Sequence, residues 1–265
     1  MRIKIPENFM GKPVKGSIER GLANAPAPST PEPEKPAPVI KPRTSVPATD
    51  PQNYIILPGA THGKYNYPDT LVSMERRHFN KDWISAHAAL YSDDEYMLTI
   101  RQFADFLALL KTGKAFDGAG SQVDPQRIEG ILDEILTVRN PWRSEWLDAK
   151  FENKGGILGL GSKLHINYDH RFLSGVNSGL SHQYSEEVDC LMTDKQIDIS
   201  DWLNNANEHG LPTKNTSGGQ IYYYYPRNGR VAWFLAYSGW AYLDCDRDPT
   251  YSDTSLGVRP AREKI

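Results

Sequence analysis

An α+β domain is what this chain predicts, and three observations carry that expectation. Two segments with helical periodicity come first, several short strand-like runs follow them, and two alternating runs joined by Ser238-Gly239 form a hairpin near the end. Helices early and short strands late place one kind of element in layers against the other.

Residues 1–51 read as a proline-rich tail and linker, and residues 52–265 as the folded domain. Nine of the 19 prolines fall between Pro26 and Pro51. Such a segment favours extended polyproline geometry and has too little apolar surface to offset its ordering entropy. The folded part starts at Tyr54-Ile55-Ile56-Leu57, a short apolar strand closed by Pro58-Gly59. Strand and loop continue to Pro68, and the mixed pattern up to Leu90 defines no element.

The first helix is expected from Ile100 to Thr112. Thr99 is its N-cap, Gly113 its stop, and Ile100, Phe103, Phe106, Leu107 and Leu110 its apolar stripe. The second is expected from Pro125 to Val138, capped by Asp124, with Pro125 in the first turn and Asn140-Pro141 as terminator. Its buried face is Ile128, Ile131, Leu132, Ile135 and Leu136. From Phe151 the pattern turns to strands and loops. Expected are a glycine-rich turn region at Gly155–Gly161, a strand from Ser162 to Tyr168 and a polar loop from Asn177 to Glu187. Apolar runs at Val188–Met192 and Ile197–Leu203 come next, and then a tyrosine-rich strand from Gln220 to Tyr225.

In the hairpin, Ala232, Phe234 and Ala236 share one parity, and Ala241, Leu243 and Cys245 share another. Residues of one parity point to one face of a strand, so both sets are expected to be buried. The opposite parity, with Leu235, Tyr237, Trp240, Tyr242, Asp244, Asp246 and Asp248, is expected to be wet. A polar stretch, Pro249–Ser255, and a last apolar run, Leu256–Ala261, complete the chain's organised end.

Composition excludes several classes. Apolar residues make up 39%, adequate for a core, and the formal net charge of −3 gives no bulk attraction to nucleic acid. The N-terminus lacks the apolar region of a secretory signal, and no run approaches the ~18 apolar residues of a membrane span. The two cysteines, Cys190 and Cys245, have no metal-binding spacing. Free buried thiols are the expectation for them, with a single disulfide as the other option.

Chemical motifs are weak. Gly156-x-x-x-x-Gly161 has phosphate-loop spacing, but Ser162-Lys163 follows it and no strand–helix pair frames it. Asp244-x-Asp246-x-Asp248 resembles the start of a calcium loop, but Pro249 and Ser255 stand at the glycine and glutamate positions. His165, His170 and His182 lack a helix to bring them to one face, so they read as surface or hydrogen-bonded histidines rather than zinc ligands. No metal and no cofactor is expected.

The spacing Phe234-x-Ala236-x-Ser238-x-x-Ala241-x-Leu243-Asp244-Cys245-x-Arg247-x-Pro249, then Ser252-x-x-Ser255-Leu256-Gly257-Val258-Arg259, resembles the variable region of diversity-generating retroelement target proteins. Its details are nearer to the archaeal variable proteins than to the bacterial and phage ones. Arg230-Val231-Ala232-Trp233-Phe234 stands where bacterial members carry a Gly-Gly-Ser-Trp type of sequence. The resemblance covers Arg227 to Arg262, is weak from Thr99 to Tyr225 and absent before Gln52.

The resemblance implies a C-type-lectin-like fold, two helices packed on short antiparallel sheets, with a variable region at about 229–262. In that family a reverse transcriptase introduces adenine-directed errors that scatter residue types over a fixed scaffold. The implied diversified, ligand-binding positions are Leu235, Tyr237, Gly239, Trp240, Tyr242, Asp246, Asp248, Tyr251, Asp253 and Thr254. The implied scaffold is Trp233, Phe234, Leu243, Cys245 and Arg259. The Glu-Pro-Asn-type calcium motif of sugar-binding lectins is absent from the sequence. The expected function is therefore receptor-like or adhesin-like binding of a protein or cell-surface ligand by a monomer displayed on a surface or virion, without catalysis. Two alternatives are an enzyme of the formylglycine-generating-oxidase-like class, using Cys190 and Cys245, and a structural particle or fibre component.

Overall fold

The computed structural model describes residues 8–9, 12–13, 50–155, 161–172 and 179–264. The chain divides into two compact units, residues 1–39 and 40–265. In the first, strand β1 (Asn8–Phe9) pairs antiparallel with β2 (Lys12–Pro13). The disorder expected for residues 1–51 lies almost wholly outside the described residues, as do most of the Gly155–Gly161 run and the start of the Asn177 loop.

The second unit is mixed α+β, with four α-helices and antiparallel-rich sheets. A 3-10 turn at Pro51–Asn53, capped by Asp50, leads into β3 (Tyr54–Leu57). Strands β4 (Ala60–His62) and β5 (Tyr65–Tyr67) form a small hairpin. A four-stranded sheet then orders β3, β6 (Thr70–Ser73), β16 (Pro260–Glu263) and β7 (Tyr96–Met97), antiparallel throughout. The first and last long-range strands of the body thus share one sheet.

The larger sheet has eight strands. Its order is β10 (Leu180–Glu187), β9 (Lys163–Phe172), β8 (Arg143–Lys154), β13 (Arg230–Tyr237), β14 (Trp240–Arg247), β12 (Ile221–Tyr224) and β11 (Lys195–Ile197). Strand β15 (Leu256–Val258) adds in parallel to β8, and β12 runs parallel to β14. The β13–β14 turn is a two-residue loop with φ of +47° at Ser238 and +104° at Gly239. Positive φ at both positions matches the twist of the flanking strands, which is why a Ser-Gly pair closes this hairpin.

Helix α1 spans Trp83–Ser92, α2 Ile100–Lys111, α3 Pro125–Leu136 and α4 Ile199–Asn205. Thr99 caps α2 in a full capping box with Gln102, and Asp124 caps α3, as expected from sequence. Helix α4 replaces the strand expected at Ile197–Leu203. Asp198 accepts the Asp201 amide and starts a helical turn there, so Trp202 and Leu203 reach the core from a helix. Strand β10 replaces the expected polar loop. It is an edge strand with one neighbour, so its residues stay partly solvated and need no apolar pattern. Val188–Met192 is a connection rather than a strand.

The main core covers one face of the large sheet, and a second core covers the other face around β8, β13 and β15. The main one joins Phe103, Ile128 and Trp202 from the helices to Ala232, Phe234, Leu243 and Cys245 from the hairpin. Phe234 packs 5.1 Å from the Phe103 ring. The second core contains Trp83, Trp146, Val231, Trp233, Leu235, Leu256 and Val258. Strand β13 is therefore buried on both faces, as central strands between covered faces are. This overturns the expectation of one wet face along its length.

A buried ion network ties Arg259 to the segments around Ser73, Glu134 and Glu145. Arg259 is 1% exposed. It donates to Glu145 (3.0 Å), Glu134 (3.0 Å) and the carbonyl oxygens of Ser73 and Met74. Arg143 donates to Glu145 and Glu134 as well, and Arg76 reaches Glu134 and the carbonyls of Ser144 and Ser255. Burial opposes the charge of Glu134, but Arg143, Arg259 and Arg76 outweigh it and lower its pKa to about 2. Gly257, just before, lies so close to its neighbours that a Cβ would stand 2.9 Å from the Phe79 ring and 3.0 Å from the Arg77 carbonyl oxygen. Among the described residues no helix is long and apolar enough to cross a membrane.

Candidate functional site

The parallel pairing of β12 with β14 sets Tyr222 beside Tyr242 and Tyr224 beside Asp244. Alternation then separates two chemistries. Ile221, Tyr223, Ala241 and Leu243 turn into the main core, and Tyr222, Tyr224, Trp240 and Tyr242 form a half-buried row on the other side. The Tyr224 and Tyr242 rings stack at 6.2 Å and 10°, with Tyr222 4.9 Å from Tyr224. Gln196 of β11 pairs with Tyr222 and is exposed.

The row continues across β13. Tyr237, at the turn, is 49% exposed, and its ring lies 6.5 Å from Trp142. Trp142 in turn meets Trp233 edge-on at 5.7 Å. Arg247 lies over both Trp233 (4.4 Å) and Tyr251 (3.6 Å), a cation held by two aromatic faces. Trp233 Nε1 donates to Asp244 Oδ2 at 2.7 Å. Burial raises the Asp244 pKa above the ordinary carboxylate value, although the Asp246 amide and the Trp233 indole act to lower it.

The acidic positions sit at the far end of the hairpin. Asp246 accepts from Arg227 and faces Arg230, while Asp248 accepts from Arg230 (3.2 Å) and from the Thr250 amide and hydroxyl. Asp253 caps its own turn by accepting the Ser255 amide, and Thr254 is exposed. The three carboxylates of Asp244, Asp246 and Asp248 thus serve three different sets of donors.

Two positions expected to be diversified sit in restrictive surroundings. Leu235 is only 9% exposed and belongs to the second core, because helix α1 and β15 contribute residues to cover that face. Gly239 is exposed, but at φ +104° any side chain is strained, so the turn itself restricts it. Tyr237, Trp240 and Tyr242 lie along one exposed edge of the aromatic row. Tyr251 is half-buried against the second core. Of the expected scaffold, Phe234, Leu243 and Cys245 have no exposure, and Trp233 and Arg259 have 3% and 1%.

Trp142, Tyr222, Tyr224 and Arg247 join this face without having been singled out in sequence. The run of four tyrosines, Tyr222–Tyr225, carried the signal for two of them. Nothing local marked Trp142, which meets the face only through long-range pairing.

Both cysteines are free and buried. The Cys190 sulfur lies 3.5 Å from the Tyr223 hydroxyl, and burial pushes its thiol up to about 11 and that of Cys245 well above the ordinary thiol value. Such thiols hold little thiolate at neutral pH.

A separate cluster has metal-ligand chemistry. His87 of α1, Asp148 of β8 and His170 of β9 are all buried, with donor atoms within 4.8 Å of one another. His170 Nδ1 lies 2.5 Å from Asp148 Oδ1, and His87 Nε2 lies 3.7 Å from the same oxygen. A second grouping, His78, Asp93 and Glu95, is already occupied by protein partners: Arg77 and the Tyr54 hydroxyl hold Glu95. Comparison of the chain with family models, curated proteins and solved structures returned no match.

Proposed function

We propose that the chain is a ligand-binding variable protein of the diversity-generating retroelement type, built on a C-type-lectin-like domain, and that its aromatic sheet face receives the ligand. One observation carries this reading. Along β12 and β14, alternate residues divide into a buried set in the main core and a half-buried aromatic set on the other side, so the second set can change without disturbing the main core. Tyrosine and tryptophan on such a face supply large rigid contact area at low entropic cost, the composition expected of adaptable binding surfaces.

The resemblance of Arg227–Arg262 to the family's variable region supports the same reading, as does the burial of Gly257-Val258-Arg259 at the end of that segment. Cys190 and Cys245 are free and buried, and this gives no support to the oxidase-like alternative that would use the pair. The proposed role is binding, by a monomer, of a protein or cell-surface ligand.

Two measurements test it. The gene should lie beside a reverse transcriptase gene and a near-duplicate template of the segment encoding 229–262. A ligand recovered by surface screening should lose affinity when Tyr237, Trp240 and Tyr222 are changed together to alanine, by about 2 kcal/mol or more per hot-spot aromatic. The melting temperature should move little. Intact binding in the folded triple variant places the ligand elsewhere and refutes the proposed face.

A further inference from the structure

The cluster of His87, Asp148 and His170 takes no part in the aromatic face. We propose that it is a binding site for a divalent first-row transition-metal ion, with zinc as the reference ion, ligated by His87 Nε2, Asp148 and His170 Nδ1.

The donor set is the first argument. Two imidazole nitrogens and one carboxylate oxygen suit zinc and its neighbours in the first row, and a facial grouping of this kind leaves positions for a further ligand. Bonds of about 2.0–2.2 Å require donor atoms roughly 3–3.5 Å apart. The distance from His87 Nε2 to Asp148 Oδ1 is 3.7 Å and that from His170 Nδ1 is 2.5 Å, so one must close and the other open by less than an ångström.

The second argument is an unpartnered atom. His87 is 4% exposed, and its Nε2 has no hydrogen-bond partner. Its nearest ion-pairing oxygen is Asp148 Oδ1, beyond hydrogen-bond reach. A buried nitrogen left in this state costs free energy that a metal bond removes.

The charge balance is the third. Asp148 has no exposure, and among the described residues its ion pairs run only to His87 and His170, with no lysine or arginine. A buried carboxylate needs compensation, and a dication supplies it. The surroundings are also built to hold the ligands in place. The His170 amide donates to Asp148 Oδ2 at 2.8 Å, which leaves Oδ1 to face the histidines. Trp83 meets both imidazole rings edge-on, at 4.4 Å and 4.9 Å, and is itself fixed by donating to the Leu147 carbonyl. Such outer partners orient ligands in metal sites. All three donors stand on a helix and two paired strands rather than on loops.

The test uses the full chain, stripped with a chelator, dialysed and titrated with zinc by calorimetry. The expected result is one ion bound per chain, with a rise in melting temperature on loading. X-ray absorption at the zinc edge should show imidazole nitrogens at about 2.0–2.1 Å. His87→Gln and His170→Gln should each weaken zinc binding by about 100-fold or more, beyond the 10–100-fold typical of outer partners. His165→Gln, on the same strand as His170, should leave it unchanged. Absence of a stoichiometric ion on the wild-type chain overturns the proposal, as does zinc affinity that survives both substitutions. If either variant does not fold, the wild-type stoichiometry and edge spectrum decide alone.

Discussion

Replacing Arg259 by alanine should destabilise the body by about 3–5 kcal/mol, the cost of breaking a buried ion pair by removing one partner. Two carboxylates and two backbone carbonyls lose their donor in that change. Glu145, with no exposure, keeps only Arg143, while Glu134 keeps Arg143 and Arg76. Equilibrium unfolding in urea measures the loss as a lower midpoint at unchanged slope. In a thermal melt the same loss is worth roughly 6–20 °C for a body of this size. Adding Glu145→Gln to Arg259→Ala should recover part of it, because the stranded charge is then gone.

The network also sets an acid limit. The folded pKa of Glu134 lies below its ordinary 4.5, at about 2. Its contribution is therefore complete above the unfolded pKa and is lost as pH falls from 4.5 toward 2. In Arg259→Ala the folded pKa should rise, and the stability lost across that window should shrink. A loss under ~1 kcal/mol, or an acid profile identical to wild type, would falsify the assignment of Arg259 as the centre of this network.

Leu235→Ala should cost about 2–5 kcal/mol, since the residue sits in the second core. Tyr237→Ala, two positions on and half exposed, should stay within about 0.5 kcal/mol. Equal effects in chemical denaturation contradict the two-faced burial of β13. Gly257→Ala should cost about 1–3 kcal/mol by overpacking against Phe79 and the Arg77 carbonyl, and a neutral melt shows that those neighbours yield freely. Phe234→Ala should cost about 3–5 kcal/mol through the contacts with Phe103 and Trp202, and a change below ~1 kcal/mol sinks the main-core assignment.

Local rules carried the sequence reading where they decide the outcome. Thr99, and Asp124 with Pro125, announce two helices because caps are local chemistry. Ser238-Gly239 announces the hairpin because positive φ is local too. Leu235 was misplaced because period two says that faces differ, not that one is wet. What covers the second face is Trp83 and Trp146, more than eighty residues upstream, and no local pattern points to them. The polar β10 was invisible for a related reason, since an edge strand is defined by its neighbour β9. The His87, Asp148 and His170 cluster comes from three separate elements, and ligand spacing along the chain gives no hint of it.

The placement of β16 between β6 and β7 has a consequence for synthesis. The bond from Arg259 to the Ser73 carbonyl spans 186 positions, so this part of the body closes only after Pro260–Glu263 has been made. Such high contact order slows folding. A frameshift or premature stop anywhere in residues 229–262 therefore removes the strand that joins the small sheet. Its product is left with unpaired strand edges for proteases to recognise.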